Sequence, residues 1–388
     1  EFGARRRAMT MRNCQVSFIS LWVLTHSLLA IPLSSSFLNP SLSIRFASPT
    51  KSSNFEGHCF KSSPKHRPLF SSPPLGISGG GQDEGNDEES ECDLVVVGCG
   101  VLGTSLCRQL VQNIQTQQQF LNIQSVVGVT GTTNNHASIL ESVQNTDQSS
   151  SSVAQQPSFC VKTYDEIISE KRKYKNVVFC APPSKFDNYA EALENVMDDL
   201  WDQNAGGVFA FTSSGGVYEG KDGETVNENF PTIDPEKNPR QGRIVYAERT
   251  CIAKKGTVLR LAGLYTLDRG AHNYWLTSGK TVQGRPSAFV NLLSYDDAAS
   301  ACIAALAAAG RGVAVRGKTY LISDGNPTTR EGICQSALKS KQYGDGKYTM
   351  PSFENDGPLG KIYDGSFSNT ELKWTPTYES FDKFMTSH

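Results

Sequence analysis

Gly98, Gly100 and Gly103 are the residues of this 388-residue chain whose type and spacing say most about chemistry. They lie in Asp93–Leu110, DLVVVGCGVLGTSLCRQL, directly after Leu94–Val97, an unbroken β-branched and leucine run that reads as a strand buried on both faces. Thr104–Leu110 then reads as the first turns of a helix. In such a unit Gly98 makes the tight turn, Gly100 lets the backbone approach a pyrophosphate, and Gly103 lets helix and strand pack closely. The amides of Val101, Leu102 and Gly103 open the helix, where the dipole places roughly half a positive charge. A dinucleotide is the ligand this order predicts.

Other candidate residues follow later strands. Thr130, Thr132, Thr133, Asn134 and His136 come after a second strand, Ser125–Thr130, and could hold a phosphate through hydroxyls, amide and imidazole; His136 also reads as a solvated loop residue. A NAD site usually has an acidic residue here for the ribose 2′-hydroxyl, and Val126–Leu140 has none, so NADP is the expected cofactor with NAD as the alternative. Ala181, Pro182 and Pro183 end a fourth strand and would line the adenine or ribose side of the pocket, or simply terminate the strand. Ser214 ends a fifth, as a donor to a substrate oxygen or as a cap. Asp296 and Asp297 precede an alanine-rich helix and read as its N-cap; no metal site is expected.

The elements that position these residues alternate. Strands are predicted at Leu94–Val97, Ser125–Thr130, Phe159–Lys162, Asn176–Ala181, Gly207–Thr212, Thr257–Leu261 and Lys318–Ile322. Helices are predicted over Ala137–Val143, Tyr164–Tyr174, Asn188–Trp201 and Asp296–Ala309, with a polar surface loop at Gln144–Gln156. The fold class is therefore α/β, a doubly wound parallel sheet of Rossmann type spanning residues 91–325. A small C-terminal substrate lobe is expected at 326–388, with 218–240 and 265–290 contributing.

Several ordered motifs resemble extended short-chain dehydrogenases/reductases, the NAD-dependent epimerase/dehydratase group, and in particular its atypical branch. They are Thr212–Tyr218 (TSSGGVY), Glu228–Pro231, Leu259–Tyr265 (LRLAGLY), Leu293–Ala298 and Asp324–Glu331, and the match runs from about Asp93 to Tyr378. The resemblance implies an NAD(P)-dependent oxidoreductase or epimerase/dehydratase acting on a hydroxyl or carbonyl carbon, with a nucleotide sugar as one substrate class. In active members a Ser polarises the substrate oxygen and a Tyr in Tyr-x-x-x-Lys moves the proton, the Lys lowering a phenol whose free pKa is near 10. Ser214 matches the Ser. The pair is degraded: Tyr246 is the only tyrosine between Pro239 and Lys255, and Thr250 stands where the lysine should be. Aligning Ala247-Glu248 with the family's helix instead puts the Tyr position near Arg240. The literal Tyr343–Lys347 match falls in a Gly-Asp-Gly loop and reads as chance. Gly128-Val129-Thr130 resembles the atypical branch's Gly-x-Thr, but the next residue, often an Arg there, is Gly131. Ser214 and Tyr246 are thus the catalytic candidates, and a non-catalytic dinucleotide-binding sensor or scaffold is the alternative.

Composition adds the context. Between Phe2 and Gln82 the only acidic residue is Glu56, against Arg5, Arg6, Arg7, Arg12, Arg45, Lys51, Lys61, Lys65 and Arg67, in a Ser- and Pro-rich background. That predicts a targeting leader and linker over residues 1–90. The apolar Val16–Leu33 followed by Ser34-Ser35-Ser36-Phe37 resembles a bipartite plastid leader; a plain chloroplast transit peptide or a secreted protein are the other readings. Glu1-Phe2 matches an in-frame EcoRI site, which places the expected start at Met9 or Met11. A net charge of −2 with no basic block in the later part speaks against a nucleic-acid partner, and no membrane span is expected in the mature protein. Ten cysteines without a C-x-x-C pair read as reduced thiols, Cys107, Cys180, Cys251 and Cys302 acting as small hydrophobes.

Overall fold

The computed structural model describes residues 93–112, 121–144 and 157–388. The leader, its cleavage site and most of the polar Gln144–Gln156 segment lie outside the described residues.

Seven parallel strands form the central sheet in the order β11-β7-β5-β4-β1-β2-β3. In chain order these are β1 (Asp93–Val97), β2 (Ser125–Thr130), β3 (Ser158–Thr163), β4 (Asn176–Phe179), β5 (Phe209–Ser214), β7 (Thr257–Leu261) and β11 (Thr319–Ile322). The remaining short strands, β6 (Glu224–Val226), β8 (Gly263–Tyr265), β9 (Phe289–Val290), β10 (Leu292–Ser294), β12 (Thr328–Thr329) and β13 (Lys361–Tyr363), pair off in twos beyond the sheet. The strand order reverses between β1 and β4, so a crevice opens at the carboxyl ends of these two strands, where open α/β sheets bind ligands. This is the doubly wound sheet that the strand–helix alternation predicts.

Helices cover both faces. One face carries α1 (Val101–Gln112), α2 (His136–Gln144) and, after α6 (Ala271–Thr277), the alanine-rich α7 (Tyr295–Gly310). The other carries α3 (Tyr164–Ser169), α4 (Tyr189–Leu200) and α5 (Pro239–Ala253). Side chains alternate along β1, Leu94 and Val96 facing α1, Val95 and Val97 facing α4, as a strand buried on both faces requires. A third apolar cluster joins Tyr265 and Leu276 to Ile333 and Cys334 of α8 (Arg330–Ala337), to Tyr343, and to Phe381, Phe384 and Met385 of α10 (Phe381–Ser387). The segment between returns to the sheet: Tyr363, Leu372 of α9 (Ser366–Leu372) and Trp374 join the α1/α7 cluster.

Three sequence expectations change at this level. Helix α3 ends at Ser169, not Tyr174, because Lys171 takes a left-handed φ of 52°. Strand β5 runs two residues further than Thr212, so Ser213 and Ser214 belong to it. The cap of α7 is Ser294, whose Oγ accepts the Asp297 amide at 2.9 Å; starting one residue earlier, the helix takes Asp296 and Asp297 into its first turn. Carboxylates there still favour the dipole. Asp296 accepts from Ser105 at 2.5 Å and Arg108 at 2.7 Å, clamping α7 to α1, while buried Asp297 accepts the amides of Thr377 and Tyr378.

Candidate functional site

The glycine turn sits in the crevice and is held from both sides. The amides of Gly98 and Cys99 donate to the Val129 carbonyl at 2.9 and 3.1 Å, and the Cys180 amide donates to Val97 at 2.7 Å. Gly98 has φ 98°, and a Cβ there would lie 2.6 Å from Ala181 Cα, so only glycine fits between β1 and the end of β4. A Cβ on Gly103 would strike the Gly98 carbonyl, which is the close helix–strand packing its position predicts. Gly100 is the opposite case: its Cβ would meet nothing within 4 Å. Two tight glycines therefore shape the turn, and the exposed Gly100 leaves open space beside the first amides of α1 (Val101, Leu102 and Gly103), whose N–H groups have no partner one turn back. The residues present fit a dinucleotide diphosphate. Burial pushes the neighbouring Cys107, Cys180 and Cys302 thiols up, Cys302 to about 12, so these groups pack as neutral thiols.

At the end of β2, Thr130 Oγ1 donates to the Thr132 carbonyl at 2.9 Å and lies 2.7 Å from His136 Nε2. Gly131 again faces open space. Glu166 of α3 is held by the Thr163 amide and hydroxyl and thereby kept below the ordinary range, with His136 adding a smaller lowering influence. Across the crevice, Ala181 is buried with its carbonyl accepting from Tyr189 Oη at 2.8 Å, Pro182 is exposed, and Pro183 opens a short 3-10 turn to Lys185.

Ser214, at the end of β5, caps the 3-10 turn Gly215–Val217 by accepting the Gly216 amide at 3.1 Å. Its own proton stays available to a substrate oxygen, since a hydroxyl both donates and accepts. Gln241 of α5 comes to the same place: a Cβ on Gly216 would lie 3.2 Å from Ser214 Oγ and 3.5 Å from Gln241 Nε2. Tyr246 does not come there. It is exposed, and its hydroxyl donates to Glu236, which raises the phenol further from neutrality.

The register of α5 explains this orientation. Glu248 is buried, accepting from Ser213 Oγ at 2.5 Å and pairing with Arg260 of β7 through Nη2 at 2.7 Å. Tyr246 is two residues from Glu248, about 200° around the helix, and so faces away from the sheet. On the alignment of Ala247-Glu248 that the resemblance offers, the Tyr position falls near Arg240, with Ile244 one turn later. Neither can move a proton as that pair does. Tyr343 belongs to the third apolar cluster and donates to Asn273 at 2.9 Å, so the Tyr343–Lys347 match forms no site.

Sequence reasoning also missed two phenols behind Ser214. Tyr363 packs with its hydroxyl 2.6 Å from where a Gly215 Cβ would be, and Tyr218 lies under the Arg260 guanidinium at 4.6 Å. Burial raises both, Tyr218 to about 12. The arrangement can therefore hydrogen-bond an oxygen at Ser214, but these phenols stay protonated at neutral pH. Their one sequence signal is the Tyr of the TSSGGVY motif itself.

No protein-family model and no curated protein sequence matches the chain. Solved structures do. The dTDP-glucose 4,6-dehydratase of Bacillus anthracis in complex with NAD superposes with a TM-score of 0.55 at 17% identity, covering 76% of this chain and 94% of that one. The UDP-glucuronic acid 4-epimerase of Bacillus cereus in complex with NAD gives 0.55 at 18% identity, with 76% and 94% covered. A dTDP-glucose 4,6-dehydratase of Streptomyces venezuelae, with NAD bound, gives 0.56 at 16% identity with the same coverage. The chain has the Rossmann fold of NAD-dependent epimerases and dehydratases.

Proposed function

We propose that this protein binds NADP(H) in the crevice between β1 and β4 and acts as an oxidoreductase or epimerase/dehydratase on a hydroxyl- or carbonyl-bearing carbon, with nucleotide sugars as the leading substrate class. The observation that carries this reading is the glycine turn: Gly98 wedged against Ala181, Gly103 against the strand end, and open space at Gly100. The fold neighbours crystallised with NAD support a nicotinamide dinucleotide, and the dehydratase and epimerase names support the substrate class. NADP over NAD is supported by the hydroxyls and imidazole at the end of β2, with no carboxylate among residues 126–140.

When bound, the nicotinamide supplies a hydride donor or acceptor. The chain's own residues do the rest. Amides of α1 bind the diphosphate, the Ser214 hydroxyl donates to the substrate oxygen, and the Gln241 side-chain amide offers a second donor beside it. Neither side chain exchanges a proton at neutral pH, so a proton needed by the reaction comes from water or substrate. That same feature favours a second reading, a non-catalytic dinucleotide sensor or scaffold, because Tyr246 points away and Arg240 and Ile244 hold the places of the acid–base pair.

Titrating the protein with NADPH and with NADH, followed by nicotinamide fluorescence, tests the cofactor assignment. NADPH is expected to bind at least about tenfold more tightly, a difference of about 1.4 kcal/mol. Tighter NADH binding would reverse it. Turnover is then sought at 340 nm with simple carbonyls and, because an epimerase or dehydratase returns its hydride to the substrate within each cycle, by product analysis of dTDP- and UDP-hexoses with the oxidised cofactor; tight NADPH binding with neither moves the second reading to the front.

A further inference from the structure

Arg243 of α5 crosses to the turn that follows β4. Its Nη2 donates to the Pro183 carbonyl and, at 3.0 Å, to the Phe186 carbonyl, so one guanidinium closes both ends of that turn. The turn is otherwise built on aromatic packing: Phe186 lies 6.1 Å from Phe179 and 5.8 Å from Tyr189, ring centre to ring centre. Tyr189 in turn holds the Ala181 carbonyl, and Ala181 abuts Gly98. Arg243 also acts electrostatically on the Tyr189 phenol, lowering it against the rise that burial imposes. A continuous set of contacts therefore runs from Arg243 through Pro183, Ala181 and Tyr189 to the glycine turn.

Sheet order gives the set its place. The diphosphate crosses at the end of β1, so the half of a dinucleotide read by Thr130 and His136 lies over β2, and the other half lies over β4 and β5 beside Ser214. On this placement the turn Pro182–Phe186, whose prolines the sequence assigns to the adenine or ribose side, instead walls that second half. Helix α5 carries no lysine at the family's position, where Ile244 stands, but its neighbour Arg243 brings a fixed positive charge to the same side of the crevice.

Resting on the dinucleotide reading above, we infer that Arg243 is a positioning residue for the nicotinamide half of the pocket. It acts through the Pro183–Phe186 turn and does not touch the reacting atoms. A single nitrogen, Nη2, serves both carbonyls, which a lysine ammonium with its three donors can also do and an apolar side chain cannot.

The experiment compares NADPH with ADP, which carries the adenosine half and diphosphate alone, on the full chain. R243M is expected to weaken NADPH binding about tenfold, about 1.4 kcal/mol, with ADP binding held within about twofold and R243K restoring NADPH to within about threefold of wild type. Unchanged NADPH affinity in R243M overturns the inference, and so does equal loss of NADPH and ADP, which would mark a purely structural role. A wild-type protein that binds neither nucleotide removes the dinucleotide reading itself, a result separate from tight wild-type binding that R243M leaves unmoved.

Discussion

Tyr246 and Glu248 are two residues apart on α5, and about 200° of helical rotation gives one to solvent and the other to the core. Residue type alone pointed at Tyr246, the only tyrosine in the window; the burial of Glu248 against Arg260 and Ser213 shows which face of α5 turns to the sheet. The alternative alignment through Ala247-Glu248 was readable in the sequence, but choosing it needs the partner on β7, a contact between segments that no local pattern reports. The place of Ser214 at a strand end was legible from its motif. Tyr246→Phe is therefore expected to leave any activity within about twofold, while Ser214→Ala lowers kcat about tenfold, or about 1.4 kcal/mol, as one lost hydrogen bond at a developing charge would. Steady-state kinetics on the two variants checks this. A large loss in the Phe variant, with cofactor binding intact, would return Tyr246 to the acid–base role.

Among the elements, α5 and the C-terminal helix α10 are tied down by buried carboxylates. Removing the Glu248 charge with Glu248→Gln leaves Arg260 uncompensated in the core, and a loss of about 3–5 kcal/mol is expected in denaturant unfolding. An unchanged midpoint would show that Arg260 finds another partner. Asp324, at the end of β11, behaves differently. Burial, with Asp297 nearby, raises its carboxyl to about 7, while the amides of Asn326 and Phe381 pull it back. A carboxyl that holds its proton more tightly when folded contributes stability that is complete below about pH 4 and falls as pH rises to about 7. Stability is thus expected to decline by a few kcal/mol across that window, and Asp324→Asn to flatten the decline; urea midpoints between pH 4 and 8 measure both. A pH profile that Asp324→Asn leaves unaltered would assign the effect elsewhere. The cap of α7 shows why such details escape a sequence reading: Ser294, Asp296 and Asp297 can each cap a helix, and only the exact starting residue decides which does.

At the scale of the whole molecule, the sheet was the most legible part. Parallel strands buried on both faces must be continuous apolar runs, and Leu94–Val97, Val126–Val129 and Val177–Phe179 are such runs. The segments beyond the sheet were legible only as interruptions, because two-residue strands such as β9 and β12 carry no periodicity. The return of Leu372 and Trp374 to the sheet's own cluster had no local signature either. We propose a plastid location on the basic, acid-poor composition of residues 2–82. A fluorescent reporter fused to residues 11–81 is expected to enter plastids, and a cytosolic or secreted reporter would refute the proposal.

The central claim is that the glycine turn holds a dinucleotide, and Gly100→Val tests it with little risk to the fold. A Cβ at Gly100 meets no atom beyond its chain neighbours within 4 Å, and the position needs no left-handed backbone, unlike Gly98. The side chain would fill only the space assigned to the diphosphate. NADPH titration of wild type and variant by nicotinamide fluorescence, with melting temperatures taken alongside, is the measurement. The account predicts equal melting temperatures and an affinity lowered at least about a hundredfold, about 2.7 kcal/mol. A variant that melts like wild type and binds NADPH just as tightly would contradict it.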